Sequence, residues 1–254
     1  MKRIVLVIGI LISLVAVQTV FGQETTGSIV YETKVNTWRL IPKERLEAMK
    51  SMIPEFQTSK NQLIYNEGES LYKPIIEDSE EDMTVQQGGG RGGFRMNFNQ
   101  NTEIYFNQPE SQVLVSQEFF GKQYLITDSL KFQPWKLGEG TKQIAGYECK
   151  MAYYTDSSNP DRVQEITAWY TDKIRPFLGP DRFYTLPGAI LAIDINNGER
   201  VTVAQKVDVR SLKKNELKAP SKGDPITQTE FRKMMEERMQ QMRQQGGGRM
   251  MIRN

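Results

Sequence analysis

Few residues in this 254-residue chain could do chemistry: one cysteine, twelve methionines, scattered carboxylates and two glycine-arginine runs. Histidine is missing altogether, which removes Ser-His-Asp and Cys-His nucleophile arrangements and every imidazole metal ligand. Cys149 shares a strand face with Tyr147, Met151 and Tyr153, so a core thiol is expected there rather than a nucleophile. Being alone, it forms no intrachain disulfide. Gly88 to Gly93 is glycine-rich, but it lies in a polar stretch without the strand-to-helix setting that a phosphate-binding loop requires. Asp194, Asn196 and Glu199 miss the twelve-residue spacing of a calcium loop. No catalytic residue, cofactor or metal ligand is assigned, and an enzyme is not expected.

The methionines carry more information. Phe231, Met234, Met235, Met239 and Met242 recur at helical spacing and fall within one arc of about 140°. Thr227 and Glu230 form a capping box ahead of them, with Ile226 and Phe231 as its hydrophobic staple, and Gly246 is the expected stop. Such a stripe needs something to cover it. Three candidates fit: the protein's own sheet, another protein, or a Cu(I) ion held by thioethers with help from Met83, Met96, Met250 and Met251. Phe231, Met235, Met239 and Met242 are accordingly the candidate partner surface.

The N-terminus predicts the compartment. Lys2-Arg3, an apolar run from Ile4 to Val17 and small or polar residues up to Gly22 describe a secretory signal peptide over residues 1–22, too short and interrupted for a comfortable spanning helix. The protein is therefore expected to be exported, to the periplasm or beyond, and to meet a membrane only where that leader is retained. Without it, acids and bases balance, which argues against nucleic acid or an anionic membrane as a partner. The remaining chain is long enough for one large β-rich domain over residues 23–225, followed by a helix and tail over 226–254.

Elements that would position these residues are mostly strands. Ile29 to Val35 alternates apolar with polar residues, and further runs follow at 62–65, 71–76, 102–107, 112–119 and 123–128. Their close spacing predicts a mainly β fold, a curved antiparallel meander or half-barrel. A first helix is expected over Pro42 to Ile53, with Leu46, Met49 and Ile53 on one face. Residues 77–95, acidic and then glycine-rich, read as a surface loop. Asn196-Asn197-Gly198 is expected to be a three-residue loop that sets Ile193 opposite Val201 and Leu191 opposite Val203, keeping one face apolar.

One block is distinctive. I-A-G-Y-x-C-x-x-A (Ile144 to Ala152, containing Gly146, Tyr147 and Cys149), A-W-Y-T (including Trp169 and Tyr170), Gly179-Pro180, Phe183 and Leu186-Pro187-Gly188-x-Ile190-Leu191 resemble the GLPGLI family of exported bacterial envelope proteins. The resemblance covers residues 144–195. Thr185 and Ala189 depart from the name motif. It implies export to the envelope and no known activity or catalytic residues. Physically, the prolines and glycines of the block read as corners of a sheet and its aromatic residues as core. Two functions follow as expectations. One is a non-enzymatic accessory module that binds another envelope protein. The other is a carrier of an apolar ligand in a half-barrel, similar in outline to periplasmic lipoprotein carriers.

Overall fold

The structure is a computed structural model that describes residues 23–76, 101–159 and 162–247. The expected leader and the 77–95 loop lie outside the described residues, as do Met83, Met96, Met250, Met251 and the Met242 side chain.

Twelve strands form one mainly antiparallel sheet. They are β1 (Gly27–Asn36), β2 (Phe56–Tyr65), β3 (Glu69–Pro74), β4 (Glu103–Asn107), β5 (Gln112–Phe119), β6 (Lys122–Ser129), β7 (Lys136–Ile144), β8 (Tyr147–Asp156), β9 (Gln164–Thr171), β10 (Ala189–Ile195), β11 (Arg200–Val209) and β12 (Asp224–Thr227). Two meanders, β1 to β6 and β7 to β11, are joined where β1 pairs with β11. The β5–β6 and β7–β8 hairpins have two-residue turns, Phe120-Gly121 and Ala145-Gly146, with all four residues at positive φ. That is the type I′ geometry whose twist matches paired strands.

The sheet must curl, because side chains from distant strands meet inside it. Phe106 of β4 stacks on Tyr184, ahead of β10, with ring centroids 5.0 Å apart. Tyr31, Tyr65, Phe106, Cys149, Leu178 and Leu191 belong to one core cluster between the two halves. A second cluster, built on Ala152, Ile166, Ala168, Tyr170, Ile190 and Ile193, covers the other face of β8 to β10. A half-barrel-like sheet with two helices is thus the observed fold, one in the β1–β2 connection and one after β12, and its interior is close-packed.

Two strands escaped the sequence. β7 is mostly exposed and polar, with two glycines and a bulge between Leu137 and Thr141; an edge strand has one side unpaired and little to bury, so it shows no apolar alternation. β12 runs parallel to β6, the one parallel pair among the named strands of the described residues.

Three local expectations are corrected. The first helix, α1, spans Lys43–Met49 rather than reaching Ile53. Beyond Met49 the chain tightens, and the Trp38 indole donates to the Ile53 carbonyl at 3.0 Å. α1 buries no residue, so it decorates the β1–β2 connection instead of lying on a sheet face. At the β10–β11 hairpin, Ile193 faces Thr202 and Ile195 faces Arg200, not the register that keeps one face apolar. The reason is that β10 is buried on both faces, so the preference for a single apolar face does not apply. Thr202 is accommodated by a hydroxyl pair with Thr33 at 2.9 Å.

Candidate functional site

The family-like block is architecture at every position. The Gly146 turn launches β8, where the Tyr147 hydroxyl donates to Glu24 at 2.7 Å and ties down the segment ahead of β1. Cys149 is fully buried, and burial pushes its thiol up to about 11. Of its expected face-mates, Tyr147 and Met151 are half-buried and Tyr153 is exposed, because the buried face of β8 switches between Cys149 and Ala152. Trp169 packs against the inner cluster and Tyr170 belongs to the outer one.

Gly179-Pro180 and Leu186-Pro187-Gly188 frame the crossover from β9 to β10. A Cβ on Gly179 would lie 1.8 Å from the Phe183 carbonyl oxygen, and one on Gly188 would lie 2.0 Å from that of Thr171. Only glycine lets the backbone segments approach that closely. Pro180 and Leu186 are buried and Pro187 is exposed. The block shapes a corner of the sheet.

Arg175 sits in the same crossover and was not singled out by its sequence. It is 3% exposed and has no carboxylate partner. Its guanidinium donates instead to the carbonyls of Asn66, Glu69 (2.8 Å) and Pro176 (3.0 Å) and to the Gln108 side chain (3.3 Å). Burial lowers its pKa to about 10, still charged at neutral pH. The residue pins the crossover to the β2–β3 turn.

The C-terminal helix α2 (Gln228–Gly247) begins as its cap predicts: the Glu230 amide donates to the Thr227 hydroxyl at 3.2 Å, and the Thr227 amide donates to the Glu230 carboxylate at 3.0 Å. Those bonds hold the Glu230 carboxyl below its ordinary range. The Met stripe is divided. Phe231 is a core residue, 3% exposed, wedged edge-on against Phe119 and Tyr124 at 5.7 and 5.5 Å; it is therefore not part of a partner surface. Met234 and Met235 are half-buried against the same cluster, whereas Met239 is 47% exposed. The helix lies chiefly along β6 and β12, with Phe231 also reaching Phe119 at the end of β5. Among the described residues no group of three or more histidines, cysteines or carboxylates could hold a metal.

The likeness to known proteins is one of shape. No family model matches the chain, and no curated protein does. Among solved structures it superposes on PNGF-II in its P21 and C2 crystal forms, with a TM-score of 0.52 for each. Identity is 16% and 17%, over 83% of this chain and 33% and 32% of the PNGF-II chain. At that identity only the fold is shared. The chain spans about a third of the length of PNGF-II. No helix among the described residues is long and apolar enough to cross a membrane.

Two surface features remain, and neither was legible in the sequence. The first is Phe120, at the tip of the β5–β6 hairpin, 59% exposed and at a φ of 52°. Arg238 of α2 lies over its ring at 5.9 Å. The second is a cleft of about 210 Å3. Val35, Leu40, Phe183 and Ile195 form its apolar side, and Arg162, Gln164, Asp181, Arg182, Glu199 and Arg200 its polar side.

Proposed function

We propose that this chain is an exported, non-enzymatic binding module of the cell envelope, a GLPGLI-like protein that engages another envelope protein through the patch made by Phe120 and the outer half of α2. The observation that carries this reading is Phe120. A type I′ turn wants asparagine, aspartate or glycine at that position, and a bulky residue held at positive φ costs on the order of 1–2 kcal/mol. The ring meets Phe119 edge-on at 4.6 Å and Arg238 at 5.9 Å, yet it remains 59% exposed, which leaves an aromatic face open to a partner. Beside it on α2, Met239 is 47% exposed. A helix of this length rises about 30 Å, and its apolar stripe fits a groove of the helix-in-groove kind on a partner.

The carrier alternative has less support. The space between the two halves of the sheet is occupied by Tyr31, Tyr65, Phe106, Leu178 and Leu191, and α2 lies at the edge of the sheet, not across its concave side.

Phe120→Asn separates function from folding, because Asn-Gly is the preferred type I′ turn. Placing a photo-crosslinking side chain at Met239 in the protein expressed in its own envelope should give one discrete adduct. Adding Phe120→Asn should abolish that adduct while leaving thermal stability unchanged or higher. Survival of the adduct in the Phe120→Asn protein, or its failure to form at all, would rule out this surface.

A further inference from the structure

The geometry points to a second binding site: the Arg162–Arg182–Arg200 cleft takes a small organic monocarboxylate with an apolar ring face, hexuronate chemistry being the best match. Three strands of evidence converge. The three arginines come from separate segments, ahead of β9, in the β9–β10 crossover and at the start of β11, yet all line one cleft. Arg162 is engaged, with its guanidinium 2.7 Å from Glu199. The Arg182 backbone carbonyl accepts from the Gln133 side chain at 3.1 Å, but the guanidinium groups of Arg182 and Arg200 have no hydrogen bond or ion pair among the described residues.

The charge count selects the ligand. The lining arginines outnumber Asp181 and Glu199 by one, and Arg39 adds positive potential at Glu199, so the cleft favours an anion, and the planar arginine forks favour a flat carboxylate. Although burial works to raise the pKa of Glu199, the Asn196 amide at 3.0 Å and Arg162 outweigh it and hold the carboxyl below its ordinary value. Glu199 therefore stays ionised and anchors Arg162. That leaves the planar forks of Arg182 and Arg200 for a carboxylate, which they match in a bidentate way. Phe183 and Leu40 line the same cleft and supply apolar surface on which the C–H face of a ring can lie. At about 210 Å3 the cleft is smaller than the roughly 300–1,000 Å3 of drug-sized sites, which limits it to a single ring.

The hairpin below the cleft is braced for this task. Arg39 donates to the carbonyls of Asn196 and Asn197, both at 2.8 Å, and the Gly198 amide donates to the Asp194 carboxylate at 2.6 Å. These bonds fix the loop that presents Glu199 and Arg200.

Titration calorimetry of the full exported chain with glucuronate, glucose and inorganic phosphate tests the site. Glucuronate should bind, glucose should not, and phosphate should bind more weakly than glucuronate. Arg182→Gln and Arg200→Gln should each weaken glucuronate roughly tenfold or more, while Arg232→Gln on the exposed face of α2 should leave it unchanged. Added salt should weaken binding to the unsubstituted protein, a readout that needs no variant to fold. No glucuronate binding at ~10 mM, equal binding of glucose, or tighter binding of phosphate would each overturn the proposal.

Discussion

The Tyr31 hydroxyl, on β1, donates to the Ile190 carbonyl of β10 at 2.7 Å, across a strand that lies between them in the sheet. β10 pairs with β11 only over Ala192 to Ile195, so the first part of β10 lacks a β11 partner. A side chain supplies the donor that the neighbouring backbone does not, as a buried carbonyl requires. Tyr31 is fully buried, and burial raises its pKa well above the ordinary tyrosine value, so it remains a donor at every physiological pH.

Tyr31→Phe should therefore destabilise by about 1–3 kcal/mol, the cost of stranding a buried acceptor. Tyr65→Phe makes the informative contrast, because the Tyr65 hydroxyl is buried with no partner of its own. Removing it should be neutral or stabilising. Urea unfolding of the two variants should move the midpoint in different directions with little change in slope; a similar loss in both would contradict this.

Gly179→Ala and Gly188→Ala should each cost more than about 3 kcal/mol, since the added methyl would collide with backbone oxygen on a crossover that cannot retreat. Gly146→Ala is the milder case. Its Cβ would meet nothing within 4 Å, and only its φ of 87° is unfavourable, a cost of about 1–2 kcal/mol. Thermal unfolding should rank the first two well below the third.

Cys149 should be silent to alkylating reagents at pH 8 in the folded protein and should react promptly on unfolding. Its pKa near 11 leaves little thiolate, and the side chain has no exposed surface. Rapid native labelling, followed by mass spectrometry, would show instead that the edge strand β7 opens readily away from β8.

Acid should loosen the chain between β11 and β12. The Arg210 guanidinium grips both oxygens of Glu216 and, with the Lys213 amide, lowers that carboxyl from its ordinary 4.5 to about 2. A depressed carboxylate contributes stability that is complete above its unfolded pKa and disappears as pH falls through its folded one. The contribution should therefore fade between about pH 4.5 and 2. Glu216→Gln should be less stable at neutral pH and should show a flatter melting temperature across that window.

Sequence legibility followed the range of the interactions involved. β5 has the bounds that its alternation predicts, Gln112 to Phe119, and the Thr227–Glu230 capping box forms as its spacing requires. The glycine and proline corners of 144–191 were legible for the same reason: a turn is set by a few neighbouring dihedral angles. The Met stripe was only half legible. Its periodicity marked a helix, but whether each residue is covered depends on the aromatic hairpin tip that happens to lie beside it.

What the sequence determined by itself was local: most of the strands, the glycine and proline corners, the helix cap and a thiol with too few companions for chemistry. Only the tertiary structure decided the β10–β11 register, because β10 is covered on both faces and a period of two then carries no preference. It alone placed β7 and β12 at the sheet edges and Arg175 among carbonyls. It alone gathered Arg162, Arg182 and Arg200, which belong to three different segments and meet because the sheet curls and the crossover folds back upon it.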